Sequence, residues 1–306
     1  MEKKRIAFTL IELLVVIAII GILSGLIVVT MNGVTQKANI AKAQVFSNSL
    51  RNALMMNLVS DWNFDGSGIL DGNPASSAYL LDTWGQKNGS VTSAPPAVLS
   101  GTNCVSGSCL SFSGSQYVSI PYDSIFNFGT AMTAMVWIKG EAQTAKGIIG
   151  QWETVATTSS WVAYVYNNKL LFAVTDNGTR AANHYKDFYT NTSITDNNWH
   201  LVGFTWNAGV VSLYIDGQSV AYTSTGTLTT NSIYNSSLNL TVGSLLSSGL
   251  PSNYFTGKMD EVRLYNKDVP ISQVKEQYYT GLNDLLFKEL ITKKEYVLRI
   301  VGVASE

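Results

Sequence analysis

At 306 residues the chain has room for one large domain and an appendage. Its formal net charge is −1 and only 13% of its residues are charged. Basic residues gather only in a short leader and in the tail, which excludes a nucleic-acid-binding surface. Ser, Thr, Asn and Gly dominate after residue 60, with Tyr and Trp plentiful. That is the composition of a secreted β-rich protein and not of a disordered one.

The chain begins with a basic leader, Lys3-Lys4-Arg5, followed by FTLIELLVVIAIIGILSG from Phe8 to Gly25. From Leu13 to Gln36 no residue is charged, which is long enough to cross a bilayer as a helix. A plain membrane anchor accounts for the apolar run but gains nothing from Glu12, because a carboxylate in hydrocarbon is expensive unless paired. A secretory signal peptide needs a shorter apolar run with a nearby small-x-small site. Ala41 and Ala43 offer such a pair, too far downstream.

The leader, the small residue Ala7, then Phe8, Thr9, Leu10, Ile11 and Glu12 before an apolar run containing Gly21, resemble the N-terminus of type IV pilins and pseudopilins. The resemblance implies that a prepilin peptidase cuts between Ala7 and Phe8 and that the new amine of Phe8 is methylated. It also implies that Glu12 faces the N-terminal ammonium of a neighbouring subunit inside a fibre. Such pairing removes the penalty of a carboxylate in an apolar bundle. Two residues depart from the family pattern. Ala7 stands where Gly is usual, and Val29 stands where many pilins carry a proline. Gly25 and Gly33 weaken the helix locally without breaking it.

Helical stripes continue past the apolar run, through Val34, Ala38, Ala41 and Val45 and through Phe46, Leu50, Leu54 and Leu58. They predict one helix from Phe8 to about Leu58, and an N-terminal unit spanning residues 8–60 after a leader of residues 1–7. Cys104 and Cys109 sit in CVSGSC, which has neither zinc-site nor CxxC redox spacing. Outside the cell a local disulfide is expected. So small a ring adds roughly 2 kcal/mol at most.

From Trp62 the hydrophobic period changes to two, with frequent turns. WVAYVY and KLLFAV flank Asn167-Asn168, and Asp216-Gly217 turns VVSLYI back on QSVAYT. Val211, Leu213 and Ile215 share a face, as do His200, Val202, Phe204 and Trp206. Many short strands without helices between them predict a two-sheet antiparallel sandwich. The segments WNFDG, DTWGQKNGS, LSFSGSQYVSIP, NNWHLVGFTW, VSLYIDGQSV and FTGKMDEVRLYN, in that order, resemble the laminin-G-like group of concanavalin A-type jelly rolls. The resemblance spans residues 61–281. Ile271 to Tyr279 reads as a short helix closed by Gly281. Residues 282–306 read as a helical tail in which Thr292 and Glu295 form a capping box. The fold class is therefore α+β: a long N-terminal helix, a mainly-β jelly roll and short C-terminal helices.

Catalysis has little support in the residues. Glucanases of this fold use paired carboxylates at even spacing on a strand, and in the β region only Asp61 and Asp65 are so placed. The two histidines, His184 and His200, belong to no HExxH, GxSxG or P-loop pattern. The chain is expected not to be an enzyme.

The laminin-G resemblance implies one structural calcium between Asp260 and the early loop, here Asp82 and Asn88, with Asp65 a weaker ligand; oxygen donors suit that ion. The alternative is that Asp260, whose parity matches Val262 and Leu264, caps backbone amides. The resemblance also implies glycan binding, with Trp152, Trp161, Tyr164 and Tyr185 as stacking platforms unless the core claims them. The combined reading is a pilin-like subunit, membrane-bound as a precursor. It then assembles with copies of itself and other pilins into a cell-surface fibre that displays a head for adhesion or a glycan or protein ligand. A minor pilin or adhesin, or a pseudopilin of a secretion system, is the alternative.

Overall fold

The computed structural model describes residues 10, 11, 13–20, 57–66, 71–90, 92–155 and 157–304. The chain divides into two compact units, Met1–Met55 and Met56–Glu306. In the first, α1 comprises residues 10, 11 and 13–20, and its Leu, Ile and Val side chains are exposed, Leu10 and Ile11 by 79% and 74%. Among the described residues no helix is long and apolar enough to cross a membrane. The expected processing and assembly residues Ala7, Phe8 and Glu12 lie outside the described residues, as do residues 21–56 of the expected long helix.

The second unit contains the strands β1 Leu58–Trp62, β2 Ala97–Ser100, β3 Ser108–Ser113, β4 Val118–Ile120, β5 Ala131–Lys139 and β6 Lys146–Gly150. Next come β7 Trp161–Tyr166, β8 Lys169–Thr175, β9 Tyr185–Ser193, β10 His200–Asn207, β11 Val210–Ile215 and β12 Gln218–Val220. The last are β13 Tyr222–Thr227, β14 Leu240–Val242, β15 Leu245–Ser247, β16 Leu250–Ser252 and β17 Thr256–Tyr265. One sheet has the order β12-β11-β10-β5-β17-β3-β2, with β1 also paired to β17. The other has the order β13-β9-β8-β7-β6-β14-β4, and β15 and β16 form a separate hairpin.

Alternation along each strand sends one set of side chains between the sheets. Phe172 of β8 and Phe204 of β10 stack across that gap with centroids 3.8 Å apart. Trp161, Trp206 and Leu213, all 0% exposed, pack around them. The turns at Asn167-Asn168 and Asp216-Gly217 have positive φ at both positions, the geometry that joins tight hairpins.

The expected helix does not reach Leu58. Residues 58–62 form β1, with Ser60 opposite Leu264 and Trp62 opposite Val262. Val59 and Trp62 are both buried, and their contribution to the sandwich overrides the helical spacing of Leu58.

The C-terminal boundary also differs from expectation. Helix α2 runs unbroken from Ile271 to Phe287, so Gly281 lies inside it and closes nothing. A Cβ at Gly281 would lie 2.5 Å from Cζ2 of Trp137, so glycine is what lets the helix rest on that ring. Tyr278 stacks on the same indole, 5.7 Å away and 15° from parallel. After α2 the N–H of Glu295 donates to Oγ1 of Thr292, 3.1 Å, at the start of α3, Lys293–Ala304.

Candidate functional site

The face of the β7-β8-β9 layer that points away from the core carries the aromatic candidates. The pairing register aligns Val162 of β7 with Ala173 of β8, and Ala173 with Asp187 of β9. Small residues therefore floor this face. Trp152, Tyr164, Tyr185 and Tyr189 pack over Val162, Leu171, Ala173 and Leu245. Trp152 and Tyr185 have ring centroids 5.8 Å apart, but Trp152 is buried beneath the tyrosines, only 3% exposed, and offers no open platform. Trp161 has the opposite parity and lies in the core against Phe128 and Phe204, so it is no platform.

A cation and an acid complete the cluster. The guanidinium of Arg180 lies 5.3 Å from the ring centroid of Tyr185 and 5.9 Å from that of Trp152. Its Nη1 donates to the carbonyl of Thr154, 3.1 Å. The Arg180 loop is held by Asp176, whose carboxylate contacts Nδ1 of His184 at 2.7 Å and accepts the N–H groups of Thr229 and Thr230. Asp187 interacts with the side chains of Tyr185 and Thr225, yet its Oδ1 is buried without a hydrogen-bond partner. Burial raises the pKa of Asp187, against the lowering effects of Tyr185, Arg180 and Thr225. Burial, and then the charge of Asp187, push the Tyr164 and Tyr185 hydroxyls well above the usual tyrosine range. An aromatic surface with one fixed cation suits a ligand that is apolar on its flat faces and carries hydroxyls at its edge.

Of the expected calcium residues, Asp82 and Asn88 share one loop and its hydrogen bonds. Oδ1 of Asp82 accepts the N–H groups of Asp61, Trp84 and Gly85 at 2.9, 3.0 and 2.9 Å, and Oδ2 accepts that of Lys87 at 3.0 Å. Oδ1 of Asn88 accepts the N–H of Asp82, 2.9 Å. The early loop is thus wound around its own carboxylate.

Asp260 is on the other side of a β-bulge. Glu261 has φ 52° and the register of β17 against β5 shifts between Asp260 and Arg263. Asp260 consequently pairs with Trp137 on the helix-covered face and does not share the inward parity of Val262. Its Oδ2 accepts the N–H of Ser106, and Asp65 accepts that of Ser108, both in the loop closed by the Cys104–Cys109 disulfide. Burial first, and Glu261 second, hold the Asp260 carboxyl well above the usual range. Among the described residues no group of three or more His, Cys, Asp or Glu is arranged to hold a metal. Asp82 and Asn88 do not fit the role of calcium ligands, because the backbone takes their oxygens.

The Concanavalin A-like lectin/glucanases superfamily model matches residues 112–275. The chain belongs to this superfamily. Its N-terminus, residues 3–28, matches the prokaryotic N-terminal methylation motif, the type IV prepilin signal. No curated protein matches the chain. Among solved structures, the binding domain of Paraclostridial Mosquitocidal Protein 1 is similar at 15% identity and a TM-score of 0.50, over 75% of this chain and 53% of that one. The botulinum neurotoxin serotype G binding domain is similar at 14% identity and a TM-score of 0.50, over 74% of this chain and 51% of that one. The matched region spans about half the length of these structures, and the likeness is one of fold.

Within this concanavalin A-like head, sequence reasoning missed Tyr189, Asp187 and Arg180. The first two were legible: Tyr185, Asp187 and Tyr189 alternate along β9 and so share a face. Arg180 sits in a loop, and no local pattern links it to Trp152.

Proposed function

We propose that the chain is a type IV pilin-like subunit whose concanavalin A-like head binds a carbohydrate through the face formed by Tyr164, Tyr185, Tyr189 and Arg180. The observation that carries this reading is the methylation motif at residues 3–28 in front of a lectin-like domain in one chain. The precursor is held in the cytoplasmic membrane and cut between Ala7 and Phe8. The Glu12 carboxylate then pairs with the Phe8 amine of an adjacent subunit as the chain enters a surface fibre. On the head, sugar C–H faces rest on the half-buried Tyr185 and Tyr189 rings while ring hydroxyls accept from the exposed Arg180 guanidinium.

Glu12→Leu, co-expressed with the native chain, tests the assembly step. A more apolar helix inserts at least as well, so the variant accumulates in the membrane and is scarce in fibres. Incorporation at the native level overturns the role given to Glu12.

A further inference from the structure

We infer that a cavity on the same sheet, sharing no lining residue with the aromatic face, is a second binding site, for a single neutral polyhydroxylated ring. The cavity, of about 250 Å³, opens at the β4 edge. Its floor is the cross-strand pair Ser119 and Thr241, on the side opposite the core residues Val118, Ile120, Leu240 and Val242. Its walls are Tyr117, residues 237–239 and the β15-β16 hairpin.

No charged residue lines it, which excludes ionic ligands as its natural class. The hydrogen-bonding inventory then defines what is left for a ligand. Oγ1 of Thr241 donates to the carbonyl of Ser244, 2.8 Å. Asn239 accepts the N–H of Tyr122 at 3.0 Å and donates to Oγ of Ser119 at 3.3 Å. The second N–H of Asn239 and the hydroxyls of Ser237 and Tyr117 have no partner among the described residues, and Ser119 retains its hydroxyl proton. These groups surround one aromatic ring, Tyr117, which packs on Tyr254 with centroids 6.3 Å apart.

The walls are fixed before any ligand arrives. Tyr254 donates its hydroxyl to the carbonyl of Pro251, 2.9 Å, and the N–H of Thr154 donates to the carbonyl of Leu246, 2.8 Å. The N–H of Gly249 donates to the carboxylate of buried Glu153. A rigid rim lowers the ordering penalty of binding. The volume is below the ~300–1,000 Å³ of sites for drug-sized ligands and is suited to one ring.

The test uses the full chain in a detergent without a sugar headgroup, and saturation-transfer NMR against glucose, galactose, mannose and N-acetylglucosamine, with glucuronate as the charged comparator. Tyr185→Ala, which disables the aromatic face, is expected to retain binding of at least one neutral sugar and to ignore glucuronate. Adding Ser237→Phe to fill the cavity should weaken that binding at least tenfold. Tyr117→Leu should do the same and serves where Ser237→Phe fails to fold. Binding unchanged by both cavity substitutions, glucuronate bound equally well, or no neutral sugar bound overturns the inference. Sugar binding that Tyr185→Ala alone abolishes leaves the aromatic-face reading intact and overturns this one. Binding that only the cavity substitutions abolish does the reverse.

Discussion

Arg180 lies over Tyr185, its guanidinium carbon 5.3 Å from the ring centroid, although the two residues come from a loop and a strand. The cation fixes the ring and also lies over that of Trp152, 5.9 Å from its centroid. Tyr185→Ala removes a stacking surface and is expected to weaken carbohydrate binding about tenfold, equivalent to about 1.4 kcal/mol. Arg180→Ala, which loses an exposed cation–π contact of roughly 0.5–1 kcal/mol, should weaken it less. Glycan-array screening followed by calorimetry checks both. Equal affinity in the native chain and Tyr185→Ala contradicts the assignment.

His200 is held between two acids, Nδ1 at 2.8 Å from Oδ2 of Asp216 and Nε2 at 2.9 Å from Oδ1 of Asp196. A neutral imidazole has one N–H and satisfies only one carboxylate, so the geometry selects the imidazolium. Burial alone lowers the pKa of His200, but hydrogen bonding and charge from Asp216, then Asp196, raise it above 6.5. Because the folded value is the higher one, this stabilisation is complete below pH 6.5 and is lost as pH rises through the folded pKa. Asp196 is desolvated, yet hydrogen bonds led by His200 hold it at about 2. Its contribution is fully present above pH 3.8 and is lost as pH falls from there through about 2. Thermal melts across pH are expected to show a decline above neutrality that His200→Gln removes. An identical decline in the variant contradicts the account.

Asp82 satisfies four backbone N–H groups with one carboxylate. Each donor left buried and unpaired costs roughly 1–3 kcal/mol, so Asp82→Ala should destabilise the head by several kcal/mol. A chelator should leave the native melting temperature unchanged. A drop on chelation, reversed by calcium, would restore the metal reading.

What the sequence made legible was the period-two pattern and the turn chemistry. Asp216-Gly217 and Asn167-Asn168 are local signals, and the structure places both turns where they predict. Parity also separates outward Tyr164 and Tyr185 from core Trp161, once the strand ends are known. The rest depended on non-local facts. The bulge at Glu261 turns Asp260 to the helix-covered face, and a single-residue shift of that kind leaves no trace in hydrophobic spacing. Gly281 resembles a helix stop in sequence, but its reason is the indole of Trp137, distant in the chain. Asp82 resembles a metal ligand because the loop that coils around it is invisible until folded.

The central claim, that one chain is a processed pilin-like subunit with a lectin-like head, is tested most directly by mass spectrometry of the protein in sheared surface fibres. The expected result is a mature chain beginning at methylated Phe8, joined to an intact head with Cys104 and Cys109 oxidised. Recovery of surface protein that still begins at Met1, or that has been cut after Ala43, would contradict it.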